Sequence, residues 1–193
     1  MQADAYSEFH HLYGDDTIYE VACLAHTRRK FHDIHVAHAS PMTTKAIARI
    51  GALHAIEEEI RGKPAELRRS IRQGRAKPLV DELHSWMEKA LRSLSTKSET
   101  AGAIRYALSY WRALTRYLDN GQREIDNNAA ERALRAVAIG RKNHLFMGAD
   151  SGGQRAVALY SLIGTAKLNG LDPAFYLRSV LATTVDHPIN RIE

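Results

Sequence analysis

Apolar residues recur every three or four positions along three stretches of this chain, at residues 42–61, 78–94 and 98–118. This spacing places them on one face of an α-helix, so each stretch predicts an amphipathic helix that buries its apolar face. Trp86 and Trp111 lie on these faces and are predicted core residues. A polar and basic helix is predicted at residues 64–75, and the four helices together form one helical block.

A short, largely apolar stretch, IYEVACLAH at residues 18–26, has a different pattern. Ile18, Tyr19 and Val21 favour extended structure, and the stretch is predicted to be a strand that is buried on both faces of a sheet. A buried strand needs neighbours because its backbone N–H and C=O groups must be hydrogen-bonded. HLFM at residues 144–147 is only a weak second candidate, so the partner strands are expected N-terminal to Met1.

The composition narrows the choice of partner and compartment. The 193 residues carry a formal net charge of +5, which favours a polyanionic partner such as nucleic acid. The single cysteine, Cys23, excludes an internal disulfide. Neither a membrane-spanning apolar run nor a signal-peptide core is found, so we expect a cytoplasmic protein with no membrane partner.

The stretch EIDNNAAERALR at residues 124–135 places Glu131 near the start of a predicted helix. With Asn128 as the N-cap residue, Glu131 takes the carboxylate position of a capping box, and spacing alone favours this structural role. The same helix would place Asn127, Asn128, Glu131 and Arg135 on one face, where a carboxylate also suits a divalent cation. Both interpretations stay open at this level.

Several basic clusters could contact a phosphate backbone or could simply be solvated. The stretch at residues 61–78 carries seven basic residues against one acidic residue, and a solvated helix face is favoured over a DNA-tracking surface that uses Arg68, Arg69 and Arg72. For the cluster at residues 28–30 the two interpretations are evenly balanced. Cys23 and the histidines that follow it have part of the spacing of a zinc site, but a small buried cysteine is favoured.

Six motifs stand in a fixed order along the chain: ADAY, CLAHTRRKF, EIDNNAAERALR, GRKNHLF, AVALYSLIGTAKLNGLDPAFYLRSVL and DHPINRI. Together they closely resemble the C-terminal half of insertion-sequence-66 type bacterial transposases. The resemblance covers essentially the whole chain. Several separate motifs in the right order make it far more specific than any one motif.

The resemblance implies a DDE transposase, in which three carboxylates hold two Mg²⁺ ions for cutting and joining DNA. Asp4 in ADAY matches the second catalytic aspartate, and Glu131 matches the catalytic glutamate; both would bind metal. Because His26 would end the strand that follows the Asp4 segment, we expect it to lie near these carboxylates and to contact DNA or a metal-bound water. The residues expected to contact DNA are Arg28, Arg29, Lys30, Asn127, Asn128, Arg132, Arg135, Arg141 and Lys142.

The predicted fold class is mainly α with a small β remnant, that is, a partial ribonuclease-H-like α/β fold carrying a large all-helical insertion. We predict a partial catalytic core at residues 1–40 and the helical insertion at 41–119. A core helix with the catalytic glutamate is predicted at 120–148, and a C-terminal helical segment at 149–193.

The first catalytic aspartate is expected upstream of Met1, so the chain is expected to be inactive alone. Its expected partners are the DNA ends of an insertion element and another copy of the chain or a full-length transposase. The expected location is the bacterial cytoplasm, and the nucleoid when the chain is bound to DNA. The alternative function is a non-catalytic basic helical protein that binds DNA or a transposase.

Overall fold

The computed structural model describes residues 18–140 and 148–184, and nine α-helices follow one another within these ranges. They are α1 Leu24–Ala37, α2 Pro41–Ile60, α3 Ala65–Ile71, α4 Lys77–Ser93, α5 Glu99–Ser109, α6 Trp111–Thr115, α7 Asn128–Gly140, α8 Asp150–Leu168 and α9 Pro173–Thr184. A π-helical turn, Arg72–Ala76, joins α3 to α4, and a 3₁₀ turn, Arg116–Asp119, follows α6. The chain divides into two compact units, Met1–Asn127 and Asn128–Glu193, while the four-segment division expected from the sequence stays a prediction.

The predicted strand at residues 18–26 is wrong, and so is the predicted ribonuclease-H-like α/β class. Residues 18–140 and 148–184 contain no sheet: Val21 forms an isolated bridge, and α1 already begins at Leu24. The mainly α part of the prediction fits. The other strand candidate, at residues 144–147, lies outside the described residues.

Backbone N–H groups of residues 18–26 are hydrogen-bonded even though these residues form no sheet. The N–H of Ala22 donates to the carbonyl of Ala113 in α6 (3.1 Å), and the N–H of Leu24 donates to the carbonyl of Ile125 (3.0 Å). Carbonyls near a helix end and in an irregular segment have acceptor capacity to spare. An apolar stretch can therefore be buried here as a short extended segment that comes directly before a helix.

The first unit is built around one hydrophobic core. Helix α1 packs against α2 and α5, and α4 packs against the same two helices. The largest fully buried apolar side chains come from all four helices: Phe31, Ile50, Leu53, Ile60, Leu83, Met87 and Ile104. Trp86 and Trp111, both predicted to be core residues, are half-buried and pack against the outside of this core.

Helices α3 and α4 were predicted to be separate, but they run into one another through the π turn. Proline has no backbone N–H and cannot complete the hydrogen-bond ladder of an α-helix interior. Pro78 lies at the start of α4, directly after the π turn. A π turn accommodates an extra residue without ending the helix. The turn thus lets the chain pass the proline as one continuous helical run.

The second unit comprises α7, α8 and α9. Asp172 caps α9, because its Oδ1 accepts the N–H of Phe175 at 2.6 Å. Helix α8 begins at Asp150, with Ala149 at its N-cap position. Leu134 of α7 is 65% exposed. No helix in the described ranges combines the length and apolarity needed to cross a bilayer.

Candidate functional site

Residues 120–127, here called the lead-in segment, precede α7 and are fastened to the start of α1. Ile125 is buried, and its carbonyl accepts the N–H of Leu24. The N–H of Asn127 donates to the Sγ of Cys23 at 3.3 Å. The chain is thus hydrogen-bonded to the first unit up to the last residue before α7.

Cys23 is buried at the N-cap position of α1, and not within a strand as expected. Its sulfur serves as a weak hydrogen-bond acceptor, in keeping with the small buried residue that the sequence favoured. Among the histidines considered for zinc, His35 is directed to α2, with its Nδ1 2.9 Å from the Oγ1 of Thr43.

Arg72, in the π turn, is completely buried and fully engaged in polar contacts. Its Nε donates to Oε1 of Glu57 at 2.8 Å, and its Nη1 donates to the carbonyls of Tyr117 (3.0 Å) and Asn120 (2.8 Å). The guanidinium also lies 5.2 Å from the centre of the Tyr117 ring. Burial, together with the negative charge of Glu57, raises the pKa of Tyr117, so its hydroxyl stays protonated.

Arg68, one helical turn earlier, joins the same network. Its two Nη atoms donate to the two carboxylate oxygens of Glu124, each at 2.9 Å, and Nη2 also lies 3.4 Å from Oε2 of Glu57. Burial disfavours the charge of Arg68, but hydrogen bonds and attraction from Glu124 and Glu57 outweigh it and raise the pKa. Glu57 is thus shared by two arginines, and the network ties α2, α3 and the π turn to the lead-in segment.

The expectation that Arg68 and Arg72 face solvent or DNA is therefore wrong: they are 7% and 0% exposed. Only Arg69 of that trio is exposed. A sequence signal existed, because Glu57 falls on the apolar stripe of α2 with Leu53 and Ile60. A carboxylate on such a stripe is buried and needs a charged partner.

The structure describes some of the predicted site residues around α7, and others lie outside the described ranges. Glu131 lies in the first turn of α7 and is half-buried, while Arg132 and Arg135 are exposed on the same helix. Asn127 and Asn128 are half-buried at the junction of the two units. Asp4, Arg141 and Lys142 lie outside the described residues, so the convergence of Asp4 and Glu131 stays a prediction.

The predicted site residues of α1 differ in exposure. His26 is half-buried in the first turn of α1, which corrects its expected place at the end of a strand. Arg28 is half-buried, and Arg29 and Lys30 are exposed. The Nζ of Lys30 lies 4.4 Å from the centre of the Tyr106 ring on α5, a cation–π contact that still leaves the charge near solvent.

Comparison with known protein families shows to which class of protein this chain belongs. Residues 1–155 match the family described as "Transposase IS66 family", and residues 161–193 match the "IS66 C-terminal element". These matches cover nearly the whole chain and define the class as the transposases. Within that class, the chain belongs to the IS66 family.

Curated relatives from Sinorhizobium fredii are similar over most of this chain. The uncharacterized protein y4qI is 40% identical over 188 residues, which is 94% of this chain and 35% of the relative. The uncharacterized protein y4hP is 37% identical over 208 residues, which is 100% of this chain and 38% of the relative. The chain therefore spans little more than a third of the length of these relatives. No solved structure matches it.

Proposed function

We propose that this chain is part of a transposase that cuts and joins DNA at the ends of an insertion element. The observation that carries the proposal is the family match over residues 1–155 and 161–193. The net charge of +5 and the exposed cations on α1 and α7 agree with a DNA substrate.

In this proposal, Asp4 and Glu131 supply carboxylate oxygens to Mg²⁺. The half-buried carboxylate of Glu131, on the first turn of a helix, fits a hard divalent cation, which prefers oxygen ligands held in place. When bound, Mg²⁺ supplies activation of a water or a DNA 3′-hydroxyl and stabilises the leaving oxygen. His26 is proposed to contact the DNA near these groups.

The proposed contacts to DNA phosphates come from two places in the chain. On α7 they are Arg132 and Arg135, with Asn127 and Asn128 beside them; Arg141 and Lys142 follow in sequence. On α1 they are Arg28, Arg29 and Lys30. Such contacts hold the DNA in register without reading its sequence.

Metal binding by Glu131 can be tested without any catalytic readout. Glu131→Gln keeps the shape of the side chain but removes its charge, so we expect Mn²⁺ to bind on the order of tenfold more weakly or worse. Electron paramagnetic resonance of a Mn²⁺ titration measures this, with circular dichroism to check folding. Glu66→Gln, at an exposed carboxylate of α3, is the control and should leave Mn²⁺ binding unchanged. Equal Mn²⁺ affinity in wild type and Glu131→Gln would contradict the proposal.

DNA binding without catalysis is the second candidate function, favoured by the net charge of +5 and by the exposed cations Arg29, Lys30, Arg132 and Arg135. The two candidates differ in one assay. Mg²⁺-dependent nicking of a labelled duplex that carries the element ends supports a catalytic chain. Binding of that duplex without nicking supports the second candidate.

A further inference from the structure

The start of α1, the end of α2 and the lead-in segment meet at one end of the first unit. His35 near the end of α1 contacts Thr43 near the start of α2, and the two helices pack side by side. They are therefore antiparallel, which puts the start of α1 beside the end of α2. The Leu24–Ile125 hydrogen bond brings the lead-in segment to the same place.

Three basic side chains gather at this end: Arg28 of α1, His54 of α2, and Arg61 directly after α2. The charges of Arg28, Arg61 and Asp126 all act on the imidazole of His54. Arg61 is exposed and Arg28 is half-buried, and neither forms an ion pair within the part of the chain that the structure describes.

Within residues 18–140 and 148–184, the acidic groups close to this cluster do not neutralise it. The carboxylate of Glu57 is buried and is held by Arg68 and Arg72, so it cannot turn towards Arg28 or Arg61. Asp126 adds one negative charge against two arginines. The Nε2 of His54 is shielded from solvent and has no hydrogen-bond partner in the described ranges. The cluster thus has surplus positive charge and unused hydrogen-bonding capacity.

We infer that Arg28, His54 and Arg61 form a phosphate-binding cluster that holds the DNA backbone beside the lead-in segment. This inference rests on the proposed function, and it adds Arg61 and His54 to the DNA-contacting residues. Guanidinium groups suit phosphate because their donors match two oxygens at once.

His54 gives the cluster a pH dependence. Burial lowers the pKa of His54 from its usual 6.5, helped by Arg28 and Arg61, while Asp126 and Glu57 act in the opposite direction. His54 is therefore uncharged at neutral pH. A bound phosphate favours the protonated ring and raises that pKa, so His54 takes up a proton on DNA binding. DNA affinity should then increase as the pH falls from neutral to acidic.

A salt titration of DNA binding by the whole chain tests the two arginines. For Arg28→Gln/Arg61→Gln we expect the slope of log affinity against log salt to fall in magnitude by about 2, since each lost phosphate contact contributes about 0.9. The matched control is Lys45→Gln/Lys97→Gln, which removes two exposed cations elsewhere in the first unit and should keep the wild-type slope. Fluorescence anisotropy with a labelled duplex of about 30 base pairs measures both.

The outcomes separate this inference from the proposed function. If wild type binds DNA and Arg28→Gln/Arg61→Gln keeps the full slope, the inference is overturned and the proposed function stands. If wild type does not bind DNA at any salt concentration, the proposed function itself fails. His54→Gln should reduce the gain in affinity between about pH 7.5 and pH 5.5. An identical pH response in wild type and His54→Gln removes His54 from the cluster.

Discussion

Replacing Arg72 by methionine is expected to lower the free energy of unfolding by about 3–5 kcal/mol. Methionine fills much of the same space but leaves Glu57, which is 3% exposed, without its closest partner. The carbonyls of Tyr117 and Asn120 lose their donors at the same time. Urea unfolding followed by circular dichroism measures the loss.

The chain offers a matched control for this change. Arg75 and Glu59 form a similar two-pronged ion pair between the π turn and α2, but their side chains are 52% and 55% exposed. Arg75→Met should therefore cost far less than Arg72→Met, because water already screens this exposed pair. Adding Glu57→Gln to Arg72→Met should recover part of the loss, because no buried carboxylate is then left uncompensated. Equal losses for Arg72→Met and Arg75→Met would contradict the assignment.

Replacing Gly121 by alanine is expected to cost about 3 kcal/mol, at the upper end for overpacking. A methyl group at this position would lie 2.7 Å from the Cα of Ala65 and closer still to its carbonyl group. The lead-in segment cannot easily move away, since Arg72 holds the carbonyl of Asn120 and Arg68 holds Glu124. The shift in the urea midpoint reports the cost.

Gly102→Ala is the control for Gly121→Ala. Gly102 lies within α5, where an added methyl group meets nothing within 4 Å. Alanine favours the helix over glycine, so this variant should gain up to about 1 kcal/mol. The two substitutions should thus shift the urea midpoint in opposite directions. A shift of the same sign in both would show that the close approach to Ala65 can relax.

Local patterns in the sequence predicted the helices well, because the spacing of apolar residues reports directly on a helix face. These patterns gave wrong predictions where the structure of a segment depends on residues that are far away in the sequence. The stretch at residues 18–26 was predicted as a strand, but Ala113 and Ile125, about 100 residues away, accept its N–H groups. The close approach of Gly121 to Ala65 follows from packing, so a local pattern could not predict it.

In the candidate site, too, local features could be predicted from the sequence, whereas long-range contacts could not. Six motifs together, among them the one around Glu131, carried the family resemblance, yet the basic stretch at residues 61–78 was treated as a uniform charged surface. Burial of Arg68 and Arg72 depends on Glu57 and Glu124, which lie 11 and 56 residues from Arg68. Counting charges along the chain cannot separate a buried arginine from a solvated one.

Because two arginines share Glu57, the helical block and the lead-in segment are not independent of each other. Arg68 and Arg72 lie inside the helical block, and they bind groups of the lead-in segment outside it. The helical block at residues 42–118 therefore cannot be deleted and replaced by a short linker without loss of the contacts that hold the lead-in segment. Local unfolding of the π turn would release residues 120–127 as well, so both should open as one cooperative unit.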